Sequence, residues 1–381
     1  MRTSACILLA LAACAGVSPR PADADVDSLP RRDLTGAEAV RVDDLLRACV
    51  DDIDHRRFDD AETHAEAALA LDPRAARALA VTGLVGLQRA NATDPPDLER
   101  RNAAETATVL AERLAPDDAV VAWLRARFLA DTGHLSAAAA AAEDGLARTT
   151  AAAPDDRSRL FDLAGTYRYE LGEERLALPW LQAFVGTPRG AESTAAHFRI
   201  GSSLLRQAML PMGPRKRQDS VAQSQAEQAA RAFQRCWDLA PGDDDAALAI
   251  GASLLRAAEL AGKQGERADR ERLLGEAAAS FAQVAERFPR VAEAMFRIGV
   301  VAEERGETAA AVAAYDGALA RDPDHLGALL NLAALRTAAG DDAGADELLR
   351  RVLATDGRRG GLSGDERRRI AARLDQTPRM L

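Results

Sequence analysis

Between residues 309 and 323 the apolar positions follow a helical period: Ala311, Tyr315 and Ala318, at steps of four and three, share one face, and Pro323 ends the helix. The same steps recur as Ala277, Phe281, Val284, Pro289; as Ala229, Phe233, Cys236, Pro241; as Ala104, Thr108, Ala111, Pro116; and as Ala61, Ala65, Ala68, Pro73. A further helix precedes each copy, most visibly in the near-copies "HFRIGSSLL" (197–205) and "MFRIGVVAEE" (295–304). Gly165, Gly201, Gly251 and Gly299 fall mid-helix there, where glycine costs about 1 kcal/mol against alanine. Close approach of a neighbouring helix backbone is the expected compensation. Gly172 and Gly306 come seven residues after Gly165 and Gly299, and Gly133 and Gly340 hold the same interval after Ala126 and Ala333. These second glycines fit left-handed ends of the first helices.

Helix, glycine turn, helix, proline turn, at a period of 34 residues from Pro289 to Pro323, resembles the tetratricopeptide repeat. Met295, Gly299, Ala311, Tyr315, Ala318 and Pro323 match that family's order in full, and Phe161, Gly165, Gly172, Ala177 and Leu181 match it with Pro188 one residue early. The resemblance implies an all-α fold: a right-handed α-α superhelix, or TPR solenoid, of about eight helix pairs. The units begin near residues 42, 76, 119, 158, 194, 244, 292 and 326 and occupy 35–360, and a polar-faced helix in "SGDERRRIAARLDQ" within 361–381 caps the stack. The first and third units are alanine-rich, with Ala65 and Ala142 where an aromatic is expected. The second, fifth and sixth are overlong between their helices; 209–225 and 261–272 read either as extended helix pairs or as loops.

The first residues have another character. "MRTSACILLALAACAG" has one basic residue and an apolar stretch too short to span a bilayer, which is a signal-peptide shape over 1–13. "LAAC" resembles the lipobox of bacterial lipoproteins and makes Cys14 the lipidation candidate, while Ala13-Cys14-Ala15 also suits ordinary signal cleavage. Residues 14–34, proline-rich with alternating acids, read as a lipidated start and flexible tether. The expected location is the cell envelope, lipid-anchored at the outer membrane and facing the periplasm. If the apolar start is an artefact of alanine content, the protein is cytoplasmic.

Composition narrows the function classes. The chain is 48% hydrophobic, which suits a packed helical chain, and its net charge of −10 disfavours general nucleic-acid binding even with the basic run Arg215-Lys216-Arg217. Cys49 and Cys236 take small core positions, and Cys6 and Cys14 belong to the signal. His55 and His64 near Asp51, Asp52 and Asp54 match no common metal spacing. The sequence carries no phosphate loop, nucleophile elbow, Cys-x-x-Cys or metallopeptidase His pair, so no enzyme, cofactor or metal is expected.

What remains is binding by shape. The resemblance implies a concave surface lined by first helices, here Trp123 and Arg127; Asp162, Thr166 and Tyr169; Phe198, Arg199, Ser202 and Arg206; Arg256; and Phe296, Arg297, Val300 and Glu303. The Lys and Asn set by which some family members hold a peptide carboxylate is absent, because Phe198 and Ser202 stand where it would begin. The expected partner is a protein or peptide held by an envelope scaffold. The alternative is a glycan- or peptidoglycan-binding accessory module, since aromatic and arginine side chains also stack on sugars.

Overall fold

A computed structural model describes residues 25–210 and 216–376, which form seventeen α-helices and no strand among them. The chain divides into two compact units, Met1–Arg199 and Ile200–Leu381. The N-terminal unit holds four helix pairs: α1 (Gly36–Asp54) with α2 (Phe58–Leu71), α3 (Ala76–Asn91) with α4 (Leu98–Leu114), α5 (Ala119–Asp131) with α6 (Leu135–Arg148), and α7 (Pro154–Glu170) with α8 (Glu174–Val185). The unit boundary falls inside α9 (Thr194–Met209). The C-terminal unit continues with α10 (Lys216–Leu239), α11 (Asp244–Gln264) with α12 (Arg267–Arg287), α13 (Ala292–Glu304) with α14 (Thr308–Arg321), α15 (Leu326–Ala338) with α16 (Asp342–Arg359), and a last helix α17 (Gly364–Gln376).

Proline explains where the second helices stop. α2, α4, α10, α12 and α14 each end two residues before Pro73, Pro116, Pro241, Pro289 and Pro323. Proline's ring disfavours helical geometry in the residue before it, and Asp72, Ala115, Phe288 and Asp322 have left the helical region at ψ 100°, 70°, 71° and 98°. The turns inside the pairs use φ > 0, as Gly133, Gly172, Gly306 and Gly340 show at 74–85°. In the first pair Arg56 holds that place at φ 57°, where a Cβ is strained.

Gly201, Gly251 and Gly299 face side chains rather than a neighbouring backbone, which corrects the expectation from sequence at these positions. A methyl on Gly201 would sit 2.9 Å from the Phe233 ring, on Gly251 2.6 Å from Phe281, and on Gly299 2.6 Å from Cδ1 of Tyr315. At Gly165 the group in that space is Leu181, 2.7 Å away. In α7, α9, α11 and α13 the first helix thus gives up a side chain so that a large one from its partner can lie across it. Phe233, Phe281 and Tyr315 are all at most 2% exposed. In the second pair Gly83, which the sequence reading passed over, does admit a neighbouring backbone: a methyl there would sit 2.7 Å from the Ala104 carbonyl oxygen and against the Thr108 methyl.

The overlong units resolve as longer helices. α11 and α12 run 21 residues each and are joined at Gly265, φ 82°, while α10 runs 24. Residues 261–272 therefore form an extended helix pair, and of 209–225 the part from Lys216 onward is helix. The described part of the expected tether 14–34 is not loose. From Asp25 on the chain is folded, with a 3-10 turn at Val26–Ser28 and Leu29 only 6% exposed in the core. The signal segment and Cys14 lie outside the described residues. At the other end Ser363 and Glu366 cap α17 reciprocally, and the largely buried Ile370 packs on the last pair. No helix among the described residues is long and apolar enough to cross a membrane.

Candidate functional site

In the N-terminal unit the first helices α5 and α7 bring together residues that the sequence reading took singly. Trp123 of α5 is only 4% exposed, so it belongs to the core rather than to an open groove. The Arg127 guanidinium, one turn on, lies 5.1 Å from the centre of its ring and that of Arg159, at the start of α7, lies 5.5 Å away. Arg159 Nε and Nη2 donate to Asp54 Oδ2 at 3.1 and 2.7 Å, and Arg189 Nη1 and Nη2 donate to Oδ2 and Oδ1 at 3.1 and 2.9 Å. Arg159 also pairs with Asp156 at 2.8 Å and Asp155 at 3.2 Å. Burial alone pushes the Asp54 carboxyl up, but the hydrogen bonds from Arg159 and Arg189 outweigh it and hold the group below the usual carboxylate range.

Beside this cluster the charges are poorly compensated. Burial pushes the Arg127 guanidinium down, and among the described residues no carboxylate lies within ion-pair distance of it. The Asp131 carboxylate opposes this, but burial pushes it up as well and it accepts from Gln88 Nε2 at 2.7 Å; burial also pushes the Tyr167 hydroxyl up. Asp162 is likewise pushed up by burial, with Arg199 and Arg189 only partly opposing this, and it accepts from Thr166 Oγ1 at 3.2 Å. Tyr169, Phe198 and Arg199 are half-buried nearby in sequence on α7 and α9.

The C-terminal candidates mostly serve the fold. Arg256 Nε and Nη2 donate to the Ala208 carbonyl at 3.0 and 2.9 Å, so this side chain caps the end of α9. Phe296 lies 4.9 Å from His325 and 5.8 Å from Tyr315, ring centre to ring centre, at the edge of the core. Arg297 pairs with Glu293 at 2.7 Å, Val300 packs on the core, and Glu303 accepts from the Tyr315 hydroxyl at 2.7 Å. Ser202 is half-buried and Arg206 exposed on α9. Asp52 is taken by Arg57 and by His64 Nδ1 at 2.7 Å, and no group of three potential metal ligands gathers among the described residues. Cys49 and Cys236 are buried free thiols.

Sequence reasoning missed Asp54 as a partner of arginines, and missed Arg159 and Arg189 altogether. One signal was available: Arg77 and Arg159 stand six residues before Gly83 and Gly165, the same register on two first helices, and Arg77 also serves as an ion-pair strut, to Asp118 at 2.7 Å.

Models of the tetratricopeptide repeat match residues 51–94 and 263–325, and a second model of that repeat matches 302–359. The chain carries tetratricopeptide repeats over these stretches. The matched stretches contain the glycine-and-aromatic pair Gly299 and Tyr315. Solved structures similar to parts of it include YrrB, described as a TPR protein with an unusual peptide-binding site, at 22% identity over 58% of this chain and 96% of that one, TM-score 0.44. MamA from Desulfovibrio magneticus RS-1 is similar at 16% identity over 55% of this chain and 100% of that one, TM-score 0.41. The Pseudomonas aeruginosa pilF structure is similar at 15% identity over 66% and 94%, TM-score 0.41. Among curated proteins none matches.

Proposed function

We propose that this repeat protein is a non-catalytic scaffold of a bacterial cell envelope, anchored by lipid on Cys14 and holding partner proteins on the first helices of its N-terminal unit. The observation that carries the binding half is Arg127: a half-buried cation stacked on Trp123, with no carboxylate among the described residues in ion-pair distance. A half-buried guanidinium without a counter-charge is suited to a partner that supplies a carboxylate. Tyr169, Phe198 and Arg199 of the same unit are half-buried aromatic and cationic groups of the kind that dominate binding interfaces. The glycan reading loses its strongest support, because Trp123 has two guanidiniums over its ring and little exposed surface for a sugar.

The anchoring half rests on "LAAC" and on the short apolar stretch that precedes Cys14 in the sequence. Wild-type protein should sediment with membranes and take up labelled fatty acid, and Cys14→Ser should do neither; soluble, unlabelled wild type removes the anchor. Photo-crosslinking from position 199 should capture a defined partner that the Phe198→Ala and Arg199→Ala double variant loses at unchanged melting temperature. Undiminished capture by that variant moves the binding surface elsewhere.

A further inference from the structure

Asp54 ends α1 in the first helix pair, whereas Arg159 opens α7 and Arg189 follows α8 in the fourth, so one carboxylate joins positions 105 and 135 residues apart within the N-terminal unit. Four guanidinium hydrogen bonds of 2.7–3.1 Å converge on it. Planar guanidinium forks hold carboxylates in this way whatever chain carries them. The Asp54 side chain is 10% exposed, but Arg189 is 38% exposed, so the pair can be approached from water on the Arg189 side. Arg127 lies on the Trp123 ring that Arg159 also covers. It is the one of the three arginines that has no carboxylate within ion-pair distance among the described residues.

We propose that Arg159 and Arg189 form a binding site for an acidic peptide segment, that the chain's own Asp54 fills this site in the unbound protein, and that a partner's Asp or Glu side chain binds by displacing Asp54 and engaging Arg127. The proposal rests on the scaffold reading and names the chemistry of its partner. A chain of net charge −10 repels acidic peptides in general, so any tight binding of one requires a local site. Self-occupancy sets the affinity: each partner carboxylate competes with an intramolecular one already in place, and removing the competitor raises apparent affinity.

The probe is fluorescently labelled hexaglutamate, titrated by anisotropy against the full chain, with hexalysine as the sign control. Asp54→Asn should bind hexaglutamate at least tenfold more tightly than wild type, and adding Arg189→Gln should cancel the gain. Hexalysine binding should not tighten in Asp54→Asn. An Asp54→Asn protein that melts cooperatively yet binds no more tightly than wild type overturns the proposal, as does a gain that survives Arg189→Gln. Loss of Asp54 leaves Arg159 to Asp155 and Asp156 alone, so Arg189→Gln by itself, at a more exposed position, is the second variant. It should weaken wild-type hexaglutamate binding severalfold; if Asp54→Asn does not fold, unchanged or undetectable wild-type binding also overturns the proposal. A cross-linked partner captured equally well by all these variants leaves the scaffold standing and removes only its acidic specificity.

Discussion

The packing of Gly299 against Tyr315 predicts a change of sign. Alanine in place of a mid-helix glycine gains about 1 kcal/mol of helix propensity. Against that, the new methyl would sit 2.6 Å from Tyr315 Cδ1 and nearer still to Cε1, where ordinary contacts begin near 3.4 Å. The ring has little freedom to yield: it is fully buried, and its hydroxyl is fixed by Glu303 at 2.7 Å and Asn331 at 2.9 Å. Overpacking of this kind costs about 1–3 kcal/mol, and so close a contact belongs at the upper end, which leaves a net loss of about 1–2 kcal/mol. For a unit of this size that is a fall of about 2–8 °C in melting temperature. Tyr315→Ala alone should cost about 3–5 kcal/mol through the cavity it leaves. In the Tyr315→Ala background the obstacle is gone, and Gly299→Ala should now stabilise by about 1 kcal/mol. A double-mutant cycle by urea denaturation then reads a coupling of about 2–3 kcal/mol. Gly299→Ala having the same effect in both backgrounds would refute the pairing, and with it the repeat register.

Three further outcomes follow from the same structure. Arg56→Gly relieves a non-glycine residue at φ 57° on an exposed turn and should stabilise by about 1 kcal/mol; a melt at or below wild type argues against strain there. The Asp162 carboxyl titrates above its unfolded value because of burial, so its contribution to stability is fully present below about pH 4 and is lost as pH rises through the raised folded value. Asp162→Asn should therefore melt higher than wild type at neutral pH and the gap should close in acid; a gap that widens in acid reverses the assignment. Burial pushes the Cys49 thiol up to about 12, so iodoacetamide in mildly alkaline buffer should modify it only after denaturant is added, and rapid labelling of native protein would show that the first pair opens.

The helix pairs were legible because their signals are local. Proline stops each of five second helices within two residues and glycine supplies φ > 0 at most inner turns, so spacing alone places the elements. The role of the mid-helix glycines was half legible. Their presence announced a close approach, but nothing in a single helix says whether a backbone or a tyrosine ring fills the space, and here it is the ring. Trp123 was expected on an open surface because its register suits one, yet two arginines from different helices cover it, one of them 36 residues further along. The Asp54 contacts had no local signal at all, since no periodicity links residues 54, 159 and 189.

Those contacts bear on how the N-terminal unit comes apart. In a repeat array whose members touch only their neighbours, the end pair frays first and the loss spreads pair by pair. Asp54 ties the first pair to the fourth, so fraying either end exposes a charge at the other. The four pairs are thereby coupled into one cooperative block, whose unfolding transition should be sharper than nearest-neighbour contacts alone would give. Truncation of the first pair should then weaken the fourth, more than a hundred residues away, and the unit cannot gain or lose a repeat in its middle without parting Asp54 from its arginines.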